Sequence, residues 1–256
     1  MSELSNSAPV SAPAVSVVVP LFNEEDNVPI LQDELATALT GIDYEVVFVD
    51  DGSTDASASR VRPGRTVRLL RFAANAGQSA AMLAGIRASR APVIVLLDGD
   101  LQNDPSDIPR LLEVLNRGND LVCGFRVKRQ DSLSKKIASK IANAIRSRFV
   151  GDGIRDTGCT LKAMRRECAQ ALVPFRGVHR FIPALVKSAG FQVAEVAVNH
   201  RARRFGVSKY GIGGRAWRAT ADMFGVRWLQ SRRIDFPAAT EGTGNSALQP
   251  SGTMAE

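Results

Sequence analysis

Residues 93–107 read VIVLLDGDLQNDPSD. Five consecutive apolar residues, Val93 to Leu97, run into two aspartates one residue apart, Asp98 and Asp100. An apolar run with no polar alternation predicts a strand covered on both faces, as in a parallel sheet. Asp98 and Asp100 then lie just past its C-terminal end, the edge at which open α/β sheets place ligands. Two clustered carboxylates repel each other unless a cation or hydrogen-bond donors compensate them. A divalent ion is the natural compensation, since Mg²⁺ takes one or two carboxylates plus phosphate oxygens of a substrate. The plain alternative is a solvated turn in which Asp104 or Ser106 caps the next helix.

Apolar runs alternate with helical patterns on both sides of this segment. Strands are predicted at Val15–Pro20, Glu45–Val49, Val67–Arg71, Pro92–Leu97, Asp120–Gly124 and Val193–Val198, and helices near 28–39, 54–61, 77–90 and 106–117. That alternation implies βαβ units and a mostly parallel sheet flanked by helices. Residues 132–149 carry Ile137, Ile141, Ile145 and Phe149 four apart among lysines and arginines, the pattern of a basic amphipathic helix. A second basic helical segment, 211–236, contains Trp217, Phe224 and Trp228. The polar stretches 1–13 and 237–256 are expected to be disordered.

Three predicted strands end in polar loops. The first runs into Pro20-Leu21-Phe22-Asn23-Glu24-Glu25, where Asp26 or Asn27 can also start a helix. The second ends in Asp50-Asp51-Gly52-Ser53-Thr54-Asp55. Two acids there exceed what capping needs, and a carboxylate, which only accepts hydrogen bonds, suits the N–H edge of uracil or of guanine alike. After the third strand, Asn75-Ala76-Gly77-Gln78 opens an Ala-rich helix, either as a donor-phosphate contact through Asn75 and Gln78 or as an ordinary helix start.

Taken together, PLFNEEDN, VDDGSTD and LLDGDLQNDP resemble the nucleotide-sugar half of family 2 glycosyltransferases with the GT-A (Rossmann-like) fold. The later segments RDTGCTLKA (155–163), HRFIP (179–183) and FGVSKYG (205–211) resemble that family's polyprenyl-phosphate branch. The resemblance spans roughly 15–234. It implies a GT-A domain over 14–210, with a nucleotide-sugar half 14–124 and an acceptor half 125–210. Asp50 and Asp51 would contact base and ribose, with Pro20, Phe22 and Glu24 lining that pocket. Asp98 would bind the nucleotide and, with Asp100 and Gln102, a Mg²⁺ or Mn²⁺ ion and the donor diphosphate. Arg126 would face the acceptor phosphate, with catalytic Asp156 beside it. Arg180, Arg201, Arg204, Ser208 and Lys209 would form the basic group that binds acceptor or phosphate.

The chemistry is coherent without the family. Transfer of a sugar from a nucleoside diphosphate needs the leaving diphosphate neutralised, by metal and arginines. A phosphate monoester, with a second pKa near about 6, is already an oxyanion at neutral pH, so Asp156 is expected to position first and act as a base second. The expected reaction is inverting transfer to a polyprenyl phosphate. The rivals are a GT-A enzyme acting on a sugar hydroxyl and a non-catalytic nucleotide-sugar scaffold.

With 256 residues, 45% hydrophobic and 23% charged, the composition is that of a globular protein. The net charge of +7 favours polyanionic partners, and 6% aromatics without a stacking pattern argues for phosphate or anionic lipid over nucleic acid. Cys123, Cys159 and Cys168 have no metal spacing and read as free thiols of a reducing compartment. His179 and His200 lack partners at metal-ligand spacing. With no secretory signal and no run of about 18 apolar residues, the expectation is a protein on the cytoplasmic face of a membrane, held peripherally. Whether the apolar faces of 132–149 and 211–233 meet headgroups or the sheet is not decided by periodicity, and homo-oligomer formation also stays open.

Overall fold

The computed structural model describes residues 12–127, 143–205 and 213–234. The stretch 237–256, almost all of 1–13, and Ile137, Ile141, Ser208, Lys209 and the Trp217 side chain lie outside the described residues. Seven strands form one sheet: β1 (Val15–Leu21), β2 (Tyr44–Asp50), β3 (Val67–Arg71), β4 (Val93–Leu96), β5 (Leu121–Arg126), β6 (Lys162–Arg165) and β7 (Val193–Val198). Their order is β3-β2-β1-β4-β6-β5-β7. All pairings are parallel except those of β6, which runs antiparallel to both β4 and β5.

Among the described residues the sheet is accompanied by the helices α1 (Asn27–Ala38), α2 (Ser57–Arg60), α3 (Gln78–Ala88), α4 (Ile108–Asn116), α5 (Ile182–Ser188) and α6 (Gly213–Ser231). Residues 143–150 are also helical. β1 explains the layering. Val17 and Val19 pack with Leu31 and Leu35 of α1 and Leu111 and Leu115 of α4, whereas Val18 joins Met82 and Ile86 of α3 and Ile182 and Leu185 of α5. Successive strand side chains point to opposite faces, so an apolar run is what a strand covered by helices on both sides requires. Each fully buried Val or Leu contributes about 1.5–3 kcal/mol.

The strands at Val67–Arg71 and Val193–Val198 have the expected bounds, and the others differ by a residue or two at their ends. The helix expected over 54–61 is a single turn, because Asp55 accepts hydrogen bonds from the amide and hydroxyl of Ser57 and starts the helix late. The helix expected from 106 begins with a 3₁₀ turn, Pro105–Asp107, capped by Asp104 through Ser106 N at 3.0 Å. Asp26 precedes α1 without a side-chain cap. The Ile145/Phe149 stripe is divided: Phe149 packs on the core and meets Phe224 of α6 edge-on at 5.0 Å, while Ile145 is exposed. Val226 of α6 is buried in the same cluster, and Gln230 donates to the carbonyls of Val150 and Ala184.

Candidate active site

The C-terminal ends of β1, β2 and β4 converge, and the loops after β1 and β2 are stitched into one unit. Ser53 Oγ accepts from Asn23 N at 3.0 Å, Asn23 Oδ1 accepts from Thr54 N at 2.9 Å, and Ser57 Oγ accepts from Glu24 N at 2.7 Å. Asn23 has φ +51°, a left-handed conformation that asparagine tolerates better than most residues. Glu24 in turn accepts from Asn27 Nδ2 at 2.5 Å. Pro20 and Phe22 flank this junction.

Asp50 and Asp51 have different surroundings. The Asp50 side chain is fully buried; its Oδ1 accepts from Ser53 N, and its Oδ2 lies 3.2 Å from Arg71 Nε without hydrogen-bond alignment. Asp51 accepts from Asn75 Nδ2 at 2.9 Å, Ala76 N at 2.8 Å and Gly77 N at 2.9 Å. Its carboxylate thus holds the loop that leads into α3. Gly52 makes this possible: its φ is +70°, and a Cβ there would lie 2.6 Å from Ala74 C and Asn75 N. Only glycine fits that approach.

Asp98 is partly buried. It accepts from Gln78 Nε2 at 2.7 Å and Thr160 Oγ1 at 2.5 Å. Burial, then the adjacent Asp100 charge, push its pKa up to about 6 against the opposing pull of Thr160, Lys162 and Gln78. Gly99 lets the turn close on β1, since a Cβ there would meet Leu21 Cδ2 at 2.7 Å. Buried Leu101 has φ +60°, strain on the order of 1–3 kcal/mol of the kind that concentrates at functional sites. Beyond it, Gln102 N donates to Asp100 Oδ1 at 3.1 Å.

A basic strap, residues 199–203, crosses this acidic edge. Asn199 N donates to Asp107 Oδ2 at 2.7 Å, His200 bridges Asn103, and Arg201 N donates to Gln102 O at 2.9 Å. Arg201 Nη1 donates to both carboxylate oxygens of Glu34, at 2.6 and 2.8 Å, and Nη2 pairs with Asp104 at 2.7 Å. Its expected phosphate-binding role is therefore set against three acidic oxygens that already hold it. Arg204 is exposed. Arg203 contacts the site directly: Nη2 sits 2.6 Å from Asp100 Oδ2 and Nη1 4.0 Å from Glu24 Oε1.

Across the sheet, at the end of β5, Arg126 and Asp156 form a two-pronged pair, Nε to Oδ2 at 2.7 Å and Nη2 to Oδ1 at 2.8 Å. The backbone amides of Arg126 and Gly158 also donate to Asp156. Arg180 lies in the 3₁₀ turn Val178–Arg180, where its charge acts on Asp222 of α6. Beside it, Ser79 Oγ accepts from Gly177 N at 2.9 Å and lies 2.8 Å from His179 Nδ1. The serine proton is thus available to Nδ1. Burial, with Arg180 and Lys162 nearby, pushes the His179 pKa down to about 3, so the ring is neutral.

Thr160, Lys162 and Ser79 were not assigned roles from sequence. Lys162 is 2% exposed and donates to the Cys159 carbonyl beneath Asp98. Arg203, with Arg201 and Arg204, reads in the sequence either as a solvated loop or as part of a flexible phosphate clamp. The three cysteines are buried and free, with thiol pKa values raised by burial. Among the described residues no group of three or more His, Cys, Asp or Glu could enclose a metal. Two carboxylates at an open edge do fit a hard divalent ion whose remaining positions are filled by a diphosphate and water.

A mostly parallel sheet whose acidic loops gather at one C-terminal edge is the architecture of GT-A nucleotide-sugar enzymes. A model of glycosyl transferase family 2 matches residues 16–173, and the chain belongs to that family. It is 41% identical over 232 residues to dodecaprenyl-phosphate galacturonate synthase of Rhizobium johnstonii, covering 86% of this chain and 68% of that one. It is 38% identical over 205 residues to undecaprenyl-phosphate 4-deoxy-4-formamido-L-arabinose transferase of Photorhabdus laumondii, covering 77% of this chain and 63% of that protein. The fold is similar to that of glucosyl-3-phosphoglycerate synthase from Mycobacterium tuberculosis, with a TM-score of 0.63 at 20% identity over 87% of this chain and 81% of that chain. Another structure of that enzyme, in complex with Mn²⁺, UDP and glucosyl-3-phosphoglycerate, has a TM-score of 0.62 at 21% identity over the same shares.

Proposed function

We propose that this glycosyltransferase moves a sugar, with inversion, from a nucleoside diphosphate donor to a polyprenyl phosphate. The observation that carries the reading is the placement of the Arg126–Asp156 pair at the end of β5 in the same sheet whose β4 end presents Asp98 and Asp100. The relatives named for polyprenyl-phosphate sugar transfer support the acceptor.

In this reading the half 14–124 holds the donor. Asp50 and Asp51 shape the base and ribose pocket with Pro20, Phe22 and Glu24. Asn75 and Gln78 border the diphosphate. Asp100, with Asp98 and Gln102, would hold Mg²⁺ or Mn²⁺, which supplies positive charge to the leaving diphosphate. The half 125–210 holds the acceptor. Arg126 faces its phosphate, and Asp156 fixes the guanidinium rather than removing a proton, because the phosphate arrives as an oxyanion. That oxyanion attacks the anomeric carbon opposite the departing diphosphate. Arg180, Arg204, Ser208 and Lys209 add basic contacts around the phosphates.

Among the described residues no helix is long and apolar enough to cross a membrane. Exposed Ile145, Phe224 and Trp228 offer an apolar surface for peripheral contact with a cytoplasmic leaflet. The test is Arg126→Ala. The KM for polyprenyl phosphate should rise at least tenfold, while nucleoside diphosphate affinity by calorimetry stays unchanged. Turnover on a sugar hydroxyl acceptor lacking phosphate, equal in variant and wild type, would favour the rival reading.

A further inference from the structure

We propose that Arg203 is a built-in counter-cation for Asp100: the guanidinium and the divalent ion occupy that carboxylate in turn, and a nucleoside diphosphate drives the exchange. The inference rests on reading Asp100 as a metal ligand beside the donor diphosphate.

The strap is fastened unevenly. Asn199, His200 and Arg201 are tied to Asp107, Asn103, Gln102, Asp104 and Glu34. Arg203, two residues on, is held by one short contact to Asp100 Oδ2 at 2.6 Å and a long one to Glu24 at 4.0 Å. The anchored end therefore keeps Arg203 at the site whether or not its own contact to Asp100 is made.

The guanidinium lies on the oxygen of Asp100 that the Gln102 amide leaves open, since that amide binds Oδ1. Two cations on one carboxylate oxygen repel, so an incoming ion must displace Arg203. Displacement is costly without another anion. A diphosphate supplies one, and it suits the planar fork of arginine, which grips phosphate with two parallel hydrogen bonds. Donor binding thus does two things: it adds its own oxygens to the ion, and it draws Arg203 off Asp100. Metal and nucleotide become coupled beyond their direct bond, and such coupling is reciprocal.

The experiment measures Mn²⁺ binding by paramagnetic resonance of the free ion, with and without UDP or GDP, for wild type, Arg203→Gln, Arg203→Lys and Asp100→Asn. Without nucleotide, Arg203→Gln should bind Mn²⁺ on the order of tenfold more tightly than wild type, the scale of losing one hydrogen bond to a charged partner. The tightening produced by nucleotide should shrink in that variant but persist, because the direct metal–diphosphate bond remains. Arg203→Lys keeps a competing charge and should stay near wild type. Mn²⁺ affinity equal in wild type and Arg203→Gln, yet lost in Asp100→Asn, overturns the competition while leaving the metal site intact. Binding that survives Asp100→Asn overturns the metal reading and this proposal together.

Discussion

Asp100→Asn keeps the shape of the turn while removing a charge that both Arg203 and a divalent ion need. Turnover should fall by at least a hundredfold with the circular dichroism unchanged, and wild-type rates in excess chelator would contradict the metal role. Asp51→Ala should act on stability first, because it strips three loop N–H groups of their acceptor. A loss of about 1–3 kcal/mol in urea unfolding is expected, with weaker nucleotide binding following from the loosened loop. An unchanged urea midpoint would show that the loop stands without it. His179 gives a pH signature. Its folded pKa, about 3, lies below the ordinary 6.5. The unfolded chain therefore takes up a proton first, and the stability that the neutral ring contributes, present above about pH 6.5, is lost as pH falls towards 3. Melting temperatures of wild type and His179→Gln should converge between pH 7 and pH 5. Asp98 titrates in both proteins and cancels in the comparison; parallel curves would contradict the buried neutral ring.

Elements were legible in proportion to their length and pattern. β1, β2 and β4 are apolar runs with no helical period, and they could be placed from sequence with errors only at their ends. β6 was not legible as a strand. Its four residues, KAMR, carry no run and no alternation, and they pair because β4 and β5 leave a gap that an antiparallel strand fills. Ala163 and Met164 then point into opposite layers of the core. α5, seven residues long, escaped for the same reason. The strap is an element of a different kind, held by ion pairs rather than apolar burial. Arg201→Ala removes its clamp to Glu34 and Asp104. Limited proteolysis within 199–205 should speed up several-fold and kcat/KM should fall, whereas equal cleavage rates would mean that the backbone contacts at Gln102 and Asn103 suffice.

At the scale of the whole molecule, the basic helices pose the remaining question. Phe224, Trp228 and Ile145 are more than half exposed, although Val226 and Phe149 beside them pack on the core. The protein should cosediment with anionic vesicles. Binding should weaken with salt as the lysine and arginine attraction, about 1 kcal/mol each, is screened, and a salt-resistant part should remain from apolar burial. Phe224→Ser with Trp228→Ser should remove that part; no sedimentation at low salt would count against a peripheral membrane site. The sequence by itself determined the parallel sheet, its ligand-bearing edge and the family motifs, because strand burial and loop polarity are local patterns. Only the tertiary structure decided which of those motif residues face one another. Asp51 turned to the 75–77 loop, Arg126 to Asp156, Arg201 to Glu34 and Arg203 to Asp100, across separations of 24 to 167 residues. Such pairings depend on how the layers close, and charge at a position in the chain does not reveal which opposite charge the fold will bring to it.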